Sequence, residues 1–245
     1  MKVAAYQVPL HAIYSFQVVS LIRQQISWCE QNGVEILCCP EAVLGGLADY
    51  VDDPSNVALE VGNGQLARLL EPLSSQTVTT IVGFTEICGA RLYNSAAVFH
   101  QGSVVGIYRK MYPAINRSVY TAGDEMPVFT IGKLRFGIII CYDSNFAEPA
   151  RTMIAKGAMT LFIPTNNGMP IHRATANLVE EARRADIQRA RENRVYVVRA
   201  DVAGQDKSLL SYGSSVVLDP HGRVLGTASK LAAHIIVASI ETMPE

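Results

Sequence analysis

Short apolar runs alternate along this chain with segments whose apolar residues recur at helical spacing. The apolar runs are rich in β-branched residues and are bounded by glycine, proline or polar residues, which is typical of buried β-strands. The strands predicted in this way are Val3 to Val8, Val34 to Cys39, Val78 to Phe84, Ser95 to His100, Val104 to Tyr108, Val128 to Ile131, Leu134 to Ile140, Met159 to Ile163, Val195 to Ala200, Ser214 to Leu218, Val224 to Gly226 and His234 to Ile240.

Helices are predicted where the apolar spacing changes to the helical period. The first runs from Ser15 to Gln31, with Ser15 as its N-cap and Gly33 just past its end. The glycine- and aspartate-rich stretch from Gly45 to Asn56 is predicted to be a loop. The remaining predicted helices are around Gln65 to Leu73, Ala147 to Lys156 and His172 to Asn193.

Two pairs of predicted strands are joined by short turns, Gln101-Gly102 and Gly132-Lys133, which are hairpin signals. Consecutive hairpins mixed with helices fit two sheets packed face to face with helices outside. Of the 245 residues, 49% are apolar, which is enough for one sizeable core. Since no linker, repeat or low-complexity tract interrupts the pattern, residues 1–245 are predicted to form a single domain.

Composition and charge argue against several classes of function. Lysine and arginine (21) nearly balance aspartate and glutamate (22) without a basic block, so nucleic acid is not an expected partner. The start, MKVAAYQVPL, lacks the unbroken apolar stretch of a signal peptide, and no segment is as long as a membrane span. The five cysteines cannot all pair within the chain, and the five histidines lack metal-binding spacing. We therefore predict a cytoplasmic protein with reduced thiols, no membrane association, no metal and no cofactor.

Cys141 is the cysteine best placed for chemistry. It follows the apolar run Phe136 to Ile140 and precedes both polar residues and the helix predicted from Ala147. A residue at a strand-to-helix turn lies at the sheet edge, near N–H groups that favour the thiolate. A small buried hydrophobic residue is the ordinary alternative for any cysteine, and it is the prediction for four others: Cys29, Cys38, Cys39 and Cys88.

A cysteine nucleophile needs a base, and no histidine stands in the sequence context of a cysteine protease. Glu41 comes directly after a buried strand and Pro40, where a carboxylate would be partly desolvated and able to take a proton. Lys110 ends another strand and could bring an ammonium to the same place. Taken alone, these residues are weak signals, because a loop glutamate and a solvated lysine are the ordinary alternatives.

Together, four segments resemble the nitrilase superfamily of carbon-nitrogen hydrolases: CCPEAVLGG, YRKMYP, GIIICYDSNFAEPAR and RARENRVYVV. The stretch from Gly213 to Val224 matches a further family pattern. The resemblance runs from Val3 to about Ile240 in the family's order. It implies the α/β class with a four-layer α-β-β-α sandwich, assembled as a homodimer or higher homo-oligomer through its helices.

The resemblance also implies roles for individual residues. Glu41 would be the general base, Lys110 the cation that stabilises the tetrahedral intermediate, and Cys141 the nucleophile. The backbone N–H of Tyr142 would be a second oxyanion donor. The implied reaction is hydrolysis of a non-peptide carbon-nitrogen bond in a small-molecule amide through a thioester, with release of ammonia or an amine. Further residues at family motif positions are expected to be structural: Glu148, Arg151, Arg189, Glu192 and Asn193.

The residues that select the substrate are less defined by the sequence. Three loops are expected to contribute: Leu44 to Asn56, Met111 to Ala122 and Thr165 to Arg173. Asn166 is a candidate for substrate binding, and Asn167 and His172 could also face the pocket. A turn is the better interpretation for Asn167-Gly168.

Asn116 marks a departure from the family pattern. Many members carry a second glutamate between the lysine and the nucleophile, and the corresponding position here is Asn116. An asparagine can accept a hydrogen bond from Lys110 and orient an amide, but it cannot act as a base. The sequence therefore predicts that Glu41 handles both proton transfers alone.

Two other functions are compatible with the sequence. A nitrilase would attack a C≡N bond with the same three residues, although such members usually carry Cys-Trp-Glu where this chain has Cys141-Tyr142-Asp143. The second is a catalytically weak family member that binds a small molecule or a protein.

Overall fold

The computed structural model describes residues 1–10, 16–114, 116, 118–207 and 209–242. Its helices are α1 Val18–Asn32, α2 Gln65–Leu70, α3 Ala147–Ala155 and α4 Asn177–Asn193. Its strands are β1 Lys2–Pro9, β2 Ile36–Cys38, β3 Ala58–Glu60, β4 Thr79–Cys88, β5 Arg91–His100, β6 Ser103–Arg109, β7 Val128–Ile131, β8 Leu134–Ile138, β9 Thr160–Pro164, β10 Met169–Pro170, β11 Tyr196–Ala200, β12 Val202–Asp206, β13 Leu209–Ser211, β14 Val216–Leu218, β15 Val224–Thr227 and β16 His234–Ser239.

The strands form two mixed sheets. In the described part of the chain, a ten-stranded sheet has the order β10-β13-β12-β1-β2-β4-β5-β6, with β16 paired to β1 and β3 paired to β4. A six-stranded sheet has the order β15-β14-β11-β9-β8-β7. Parallel pairing joins β1 to β2 and β2 to β4 in the first sheet, and β8 to β9 and β9 to β11 in the second.

One buried cluster lies between the two sheets. Residues of β2 such as Ile36 and Cys38 meet residues of β8 such as Phe136 and Ile138 in this cluster. Alternate residues of the large sheet, such as Leu37, point the other way and pack with α1 and α2. Helices α3 and α4 contact the small sheet through β8, β11 and β14. The prediction of an α/β fold with two sheets and helices outside is confirmed.

Most predicted elements occur close to their predicted bounds. The backbone conformations of the turn residues explain this agreement. Gln101 and Gly102 both have positive φ, 46° and 79°, as a two-residue hairpin turn between β5 and β6 requires. Gly33 ends α1 in the left-handed conformation, φ 67°, and its N–H bonds to the Cys29 carbonyl. The predicted N-cap Ser15 lies outside the described residues.

Three predictions about elements need correction. The last long helix begins at Asn177 rather than His172, because the Pro170 carbonyl accepts N–H groups of the next residues in a separate turn. The predicted loop from Gly45 to Asn56 contains two short 3-10 turns. The strands β3, β10, β12 and β13 were not predicted. Three of them, β3, β10 and β13, have only two or three residues and show no period, and β12 ends in polar residues. All four depend on pairing with other strands.

No helix in the described part of the chain is long and apolar enough to cross a membrane.

Candidate active site

The ends of five strands bring polar residues to one edge of the two sheets. Glu41 follows β2 and Lys110 follows β6 in the large sheet, whereas Cys141, Asn167 and Asp201 follow β8, β9 and β11 in the small sheet. Because parallel strands end at the same edge, each sheet presents its residues on one side. A hydrogen bond between Glu41 and the segment after β9 then joins the residues of the large sheet to those of the small sheet.

Glu41 and Lys110 form a buried ion pair. The distance from Lys110 Nζ to Glu41 Oε1 is 2.5 Å, and the two residues are only 4% and 2% exposed, respectively. Burial alone would lower the pKa of Lys110, but attraction by Glu41, Cys141 and Asp143 raises it above its usual value. The interpretation of Lys110 as a solvated surface lysine is therefore wrong.

Two further hydrogen bonds hold the Glu41 carboxylate. Asn94 on β5 donates from Nδ2 to Oε1 over 2.7 Å, and the N–H of Asn166 donates to Oε2 over 2.9 Å. Oε1 thus accepts two side-chain donors and Oε2 one backbone donor. Asn94 was not identified from the sequence, because it lies just before the strand predicted from Ser95 and carries no motif that points to Glu41.

Cys141 begins a 3-10 turn and is partly exposed. Its φ is 47°, in the left-handed region that a non-glycine residue seldom adopts, and such backbone geometry clusters at functional sites. Burial and the nearby Glu41 raise the pKa of the thiol to about 12, more than Lys110 and Arg199 lower it. The expectation that the turn favours a free thiolate is wrong, so the thiol needs a base.

In Tyr142, the backbone N–H rather than the side chain is available for hydrogen bonding at the site. The ring is 40% exposed and stands edge-on to Phe146, with ring centroids 5.4 Å apart. The N–H groups of Cys141 and Tyr142 are the first two of the 3-10 turn, so the turn itself supplies no acceptor for them. They are available to an oxyanion next to the sulfur.

Asp143 is a second buried carboxylate close to Lys110. It accepts hydrogen bonds from the Tyr108 hydroxyl at 2.8 Å and from the backbone N–H groups of Tyr112 and Ile140 at 2.8 and 3.0 Å. Burial nonetheless raises the pKa of Asp143 to about 6, although Lys110 and these donors oppose the rise.

Asp143→Asn is expected to remove one pH-dependent contribution to stability. Because the pKa of Asp143 rises from 3.8 to about 6, the folded protein binds this proton more tightly than the unfolded chain does. The resulting stabilisation is complete below about pH 4 and is lost as the pH rises through about 6. The free energy of unfolding of the wild type, relative to the variant, should fall by on the order of 1 to 3 kcal/mol between these limits.

Urea unfolding of both proteins at the two pH values measures this difference. Asp52→Asn, at an exposed position, is the matched control. A difference between wild type and Asp143→Asn that does not change with pH would contradict the prediction.

The two asparagines after β9, Asn166 and Asn167, make different contacts from those expected from the sequence. Asn166 was predicted to bind substrate, but its Oδ1 accepts the Gly168 N–H at 3.0 Å and its own N–H holds Glu41. Asn167 was interpreted as a turn residue, yet its Oδ1 lies 3.9 Å from Cys141 Sγ. The order of these contacts depends on the backbone of the turn, which the sequence does not reveal. His172 is exposed.

Asn116 is not brought to the ion pair. Its side chain is exposed, and the carboxylates that interact with Lys110 in the described part of the chain are Glu41 and Asp143. Cys88 is also exposed, so the expectation that it is buried is wrong, whereas Cys29, Cys38 and Cys39 are buried.

A buried arginine forms hydrogen bonds with two segments of the site. Arg199 makes two 2.6 Å bonds to Asp186 on α4 and donates to Ser144 at 3.0 Å and to Thr165. It thereby connects the turn after Cys141 with the segment that follows β9. The only sequence signal for this residue was a charge inside the apolar strand YVVRA. Among the described residues, no group of three histidine, cysteine or acidic side chains could hold a metal ion.

Comparison with known proteins gives a family and several relatives. Residues 2–243 match the family model described as carbon-nitrogen hydrolase. A nitrilase of Pyrococcus abyssi is 29% identical over 245 residues, which cover 98% of this chain and 90% of the nitrilase. An (R)-stereoselective amidase of Pseudomonas sp is 30% identical over 215 residues, which cover 80% of this chain and 69% of the amidase.

Solved structures show the same fold at lower identity. An amidase of the nitrilase superfamily from Nesterenkonia AN1 is 20% identical, with a TM-score of 0.78 over 98% of this chain and 90% of its own. Another structure of that amidase shows the acetamide moiety of fluoroacetamide added covalently at its active site cysteine. A glutamine-dependent NAD+ synthetase from Acinetobacter baumannii has a TM-score of 0.82 at 19% identity, and this chain spans only 48% of it.

Proposed function

This chain belongs to the carbon-nitrogen hydrolase family, and on that premise we propose that it hydrolyses a small amide through a thioester on Cys141. The observation that carries the proposal is the buried ion pair of Glu41 and Lys110 within electrostatic reach of Cys141. A nucleophile, a base and a cation gathered at the ends of strands are typical of covalent catalysis.

Acylation begins with transfer of the Cys141 proton to Glu41. Oε2 is the better acceptor, because Oε1 already accepts hydrogen bonds from Lys110 and Asn94. The sulfur attacks the carbonyl carbon of the amide, and the carbonyl oxygen takes the negative charge. The Lys110 ammonium and the backbone N–H of Tyr142 stabilise this oxyanion in a site largely screened from water.

Collapse of the intermediate returns the proton from Glu41 to the amide nitrogen. The carbon-nitrogen bond breaks, ammonia or an amine leaves, and a thioester remains on Cys141. Glu41 next takes a proton from water, whose oxygen attacks the thioester carbonyl. The carbon-sulfur bond breaks, the sulfur recovers the proton and a carboxylic acid is released.

The test is to incubate the purified protein with acetamide, propionamide, butyramide and benzamide, and separately with the corresponding nitriles. Ammonia release and the intact mass of the protein are measured. Turnover of amides with an acyl adduct on Cys141 supports the proposal. Turnover of nitriles alone would indicate a nitrilase, and binding with neither turnover nor adduct would indicate a catalytically weak member.

Lys110→Arg is expected to lower turnover by about a hundredfold or more, comparable to the loss of an oxyanion donor. The charge is kept, but a guanidinium is a wide planar fork that does not fit between Glu41 and the oxyanion. The kcat on the best amide of the panel measures the effect. Lys156→Arg, at an exposed position, is the control, and near-normal kcat in Lys110→Arg would contradict the role.

We also propose that the single domain assembles as a homodimer through α4. Ala185 and Ala190 on α4 are buried within the protomer, so they are not part of the contact surface. The outward side of α4 carries Arg184, Gln188 and Arg191, which are exposed. Light scattering is expected to give a mass of at least twice 26.6 kDa at micromolar concentration, and a stable monomer would contradict the proposal.

A further inference from the structure

We propose that Asn167 determines specificity for amides, by accepting a hydrogen bond at Oδ1 from the N–H of the scissile bond. This inference rests on the proposed amide hydrolysis and concerns the same site. It assigns to the enzyme a fixed acceptor for the leaving nitrogen, separate from the base and from the oxyanion donors.

The orientation of the Asn167 carboxamide is determined by Asp201. The Asp201 Oδ1 atom accepts the N–H groups of Asn167 and Val202 at 3.0 and 2.8 Å. Oδ2 accepts the N–H and the hydroxyl of Ser214 at 3.0 and 2.6 Å. Asn167 Nδ2 donates to the same Oδ2 at 2.9 Å and to Ser214 Oγ at 3.2 Å. Because Nδ2, the donor of the Asn167 carboxamide, is bound to a carboxylate, its acceptor Oδ1 must face the other way.

That acceptor end faces the nucleophile. Asn167 Oδ1 lies 3.9 Å from Cys141 Sγ, in position to accept the S–H group of the resting enzyme. Asp201 and Ser214 are buried, so the support of the carboxamide is screened from water and rigid. When the thiol proton moves to Glu41, Oδ1 loses its donor just as the substrate carbon approaches the sulfur.

The chemistry of the leaving group then decides which substrate fits. A primary amide places an N–H beside the attacked carbon, where Oδ1 can accept it. The hydrogen bond holds the nitrogen while Glu41 delivers the former thiol proton, so that ammonia leaves with its two original hydrogens and one from Cys141. An ester places an oxygen without hydrogen there, and two acceptors would face each other. Sites built to pair with a substrate N–H reject analogues that lack it.

The experiment compares butyramide with methyl butyrate, which form the same acyl-enzyme. Single-turnover acylation of Cys141 is followed by quenching and intact mass spectrometry in the wild type, in Asn167→Ala and in the exposed control Asn56→Ala. In Asn167→Ala the rate with the amide should fall about tenfold to a hundredfold, while the rate with the ester changes less than about threefold.

Asp201→Asn provides a second variant that keeps Asn167 in place. Its carboxamide oxygen can still accept the two backbone N–H groups, but its NH2 replaces Oδ2 and faces Asn167 Nδ2. Two opposed donors repel, so the Asn167 carboxamide should rotate and point Nδ2 at the sulfur. Acylation by the amide should then fall and acylation by the ester should rise.

The outcomes separate this inference from the proposed function. If the wild type forms no thioester with any amide of the panel, the proposed hydrolysis fails and this inference fails with it. If the wild type is active but both substrates lose rate equally in a folded Asn167→Ala or Asp201→Asn variant, the hydrolysis stands and the role of Asn167 is overturned. Circular dichroism establishes that each variant is folded.

Discussion

Cys141→Ala is expected to abolish amide hydrolysis, with a loss of about 10⁴-fold or more in kcat, because no other group can form the thioester. The side chain is small and lies at the start of an irregular turn, so the free energy of unfolding should change little. The variant should also show no acyl adduct in the mass spectrum after mixing with an active amide. Ammonia release, intact mass and thermal unfolding are the measurements.

Cys88→Ala is the matched control, since Cys88 is exposed and lies at the end of β4. The exposure of Cys88 also affects the mapping of reactive cysteines by alkylation, because reagents can modify Cys88 whether or not it has a role in catalysis. Labelling is therefore best mapped in the Cys88→Ala background, where substrate should protect Cys141. Activity retained by Cys141→Ala, or an adduct found on another cysteine, would contradict the assignment.

Glu41→Gln is expected to lower kcat by roughly 10²- to 10⁴-fold, the usual contribution of a general base. The thiol then has no acceptor for its proton, and burial, the main cause of its raised pKa, still disfavours the thiolate. The protein should also lose about 3 to 5 kcal/mol of stability, since Lys110 remains buried without the carboxylate that forms its ion pair. Steady-state kinetics and urea unfolding measure the two effects.

Glu35→Gln is the control, an exposed glutamate just before β2. The combination of effects distinguishes Glu41 from a purely structural residue and from a purely catalytic one. Cys141→Ala should lose activity with stability retained, whereas Glu41→Gln should lose both. Normal activity in a destabilised Glu41→Gln variant would show that the ion pair has only a structural role.

Much of the fold could be predicted from local patterns. Buried strands such as β2 and β14 consist of consecutive apolar residues because both faces of their sheets are covered, and such runs are visible without any partner. Turn residues, such as the pair Gln101 and Gly102, define hairpins through their own backbone preferences. The strands β12 and β13 were not predicted because their stability comes from pairing with neighbouring strands rather than from their composition.

The sequence by itself determined most of the elements and that Glu41, Lys110 and Cys141 each follow a strand, since periodicity and strand ends are short-range properties. The tertiary structure alone decided what those residues contact. Glu41 meets Asn166, which is 125 positions away, because parallel strands of the two sheets end at a common edge. It meets Asn94, which is 53 positions away, because the antiparallel strand β5 begins at that edge. Packing also raises the pKa of the Cys141 thiol and brings Asn167, not Asn166, next to it. Desolvation and hydrogen-bond geometry depend on atoms brought together from the whole chain, and no local pattern encodes them.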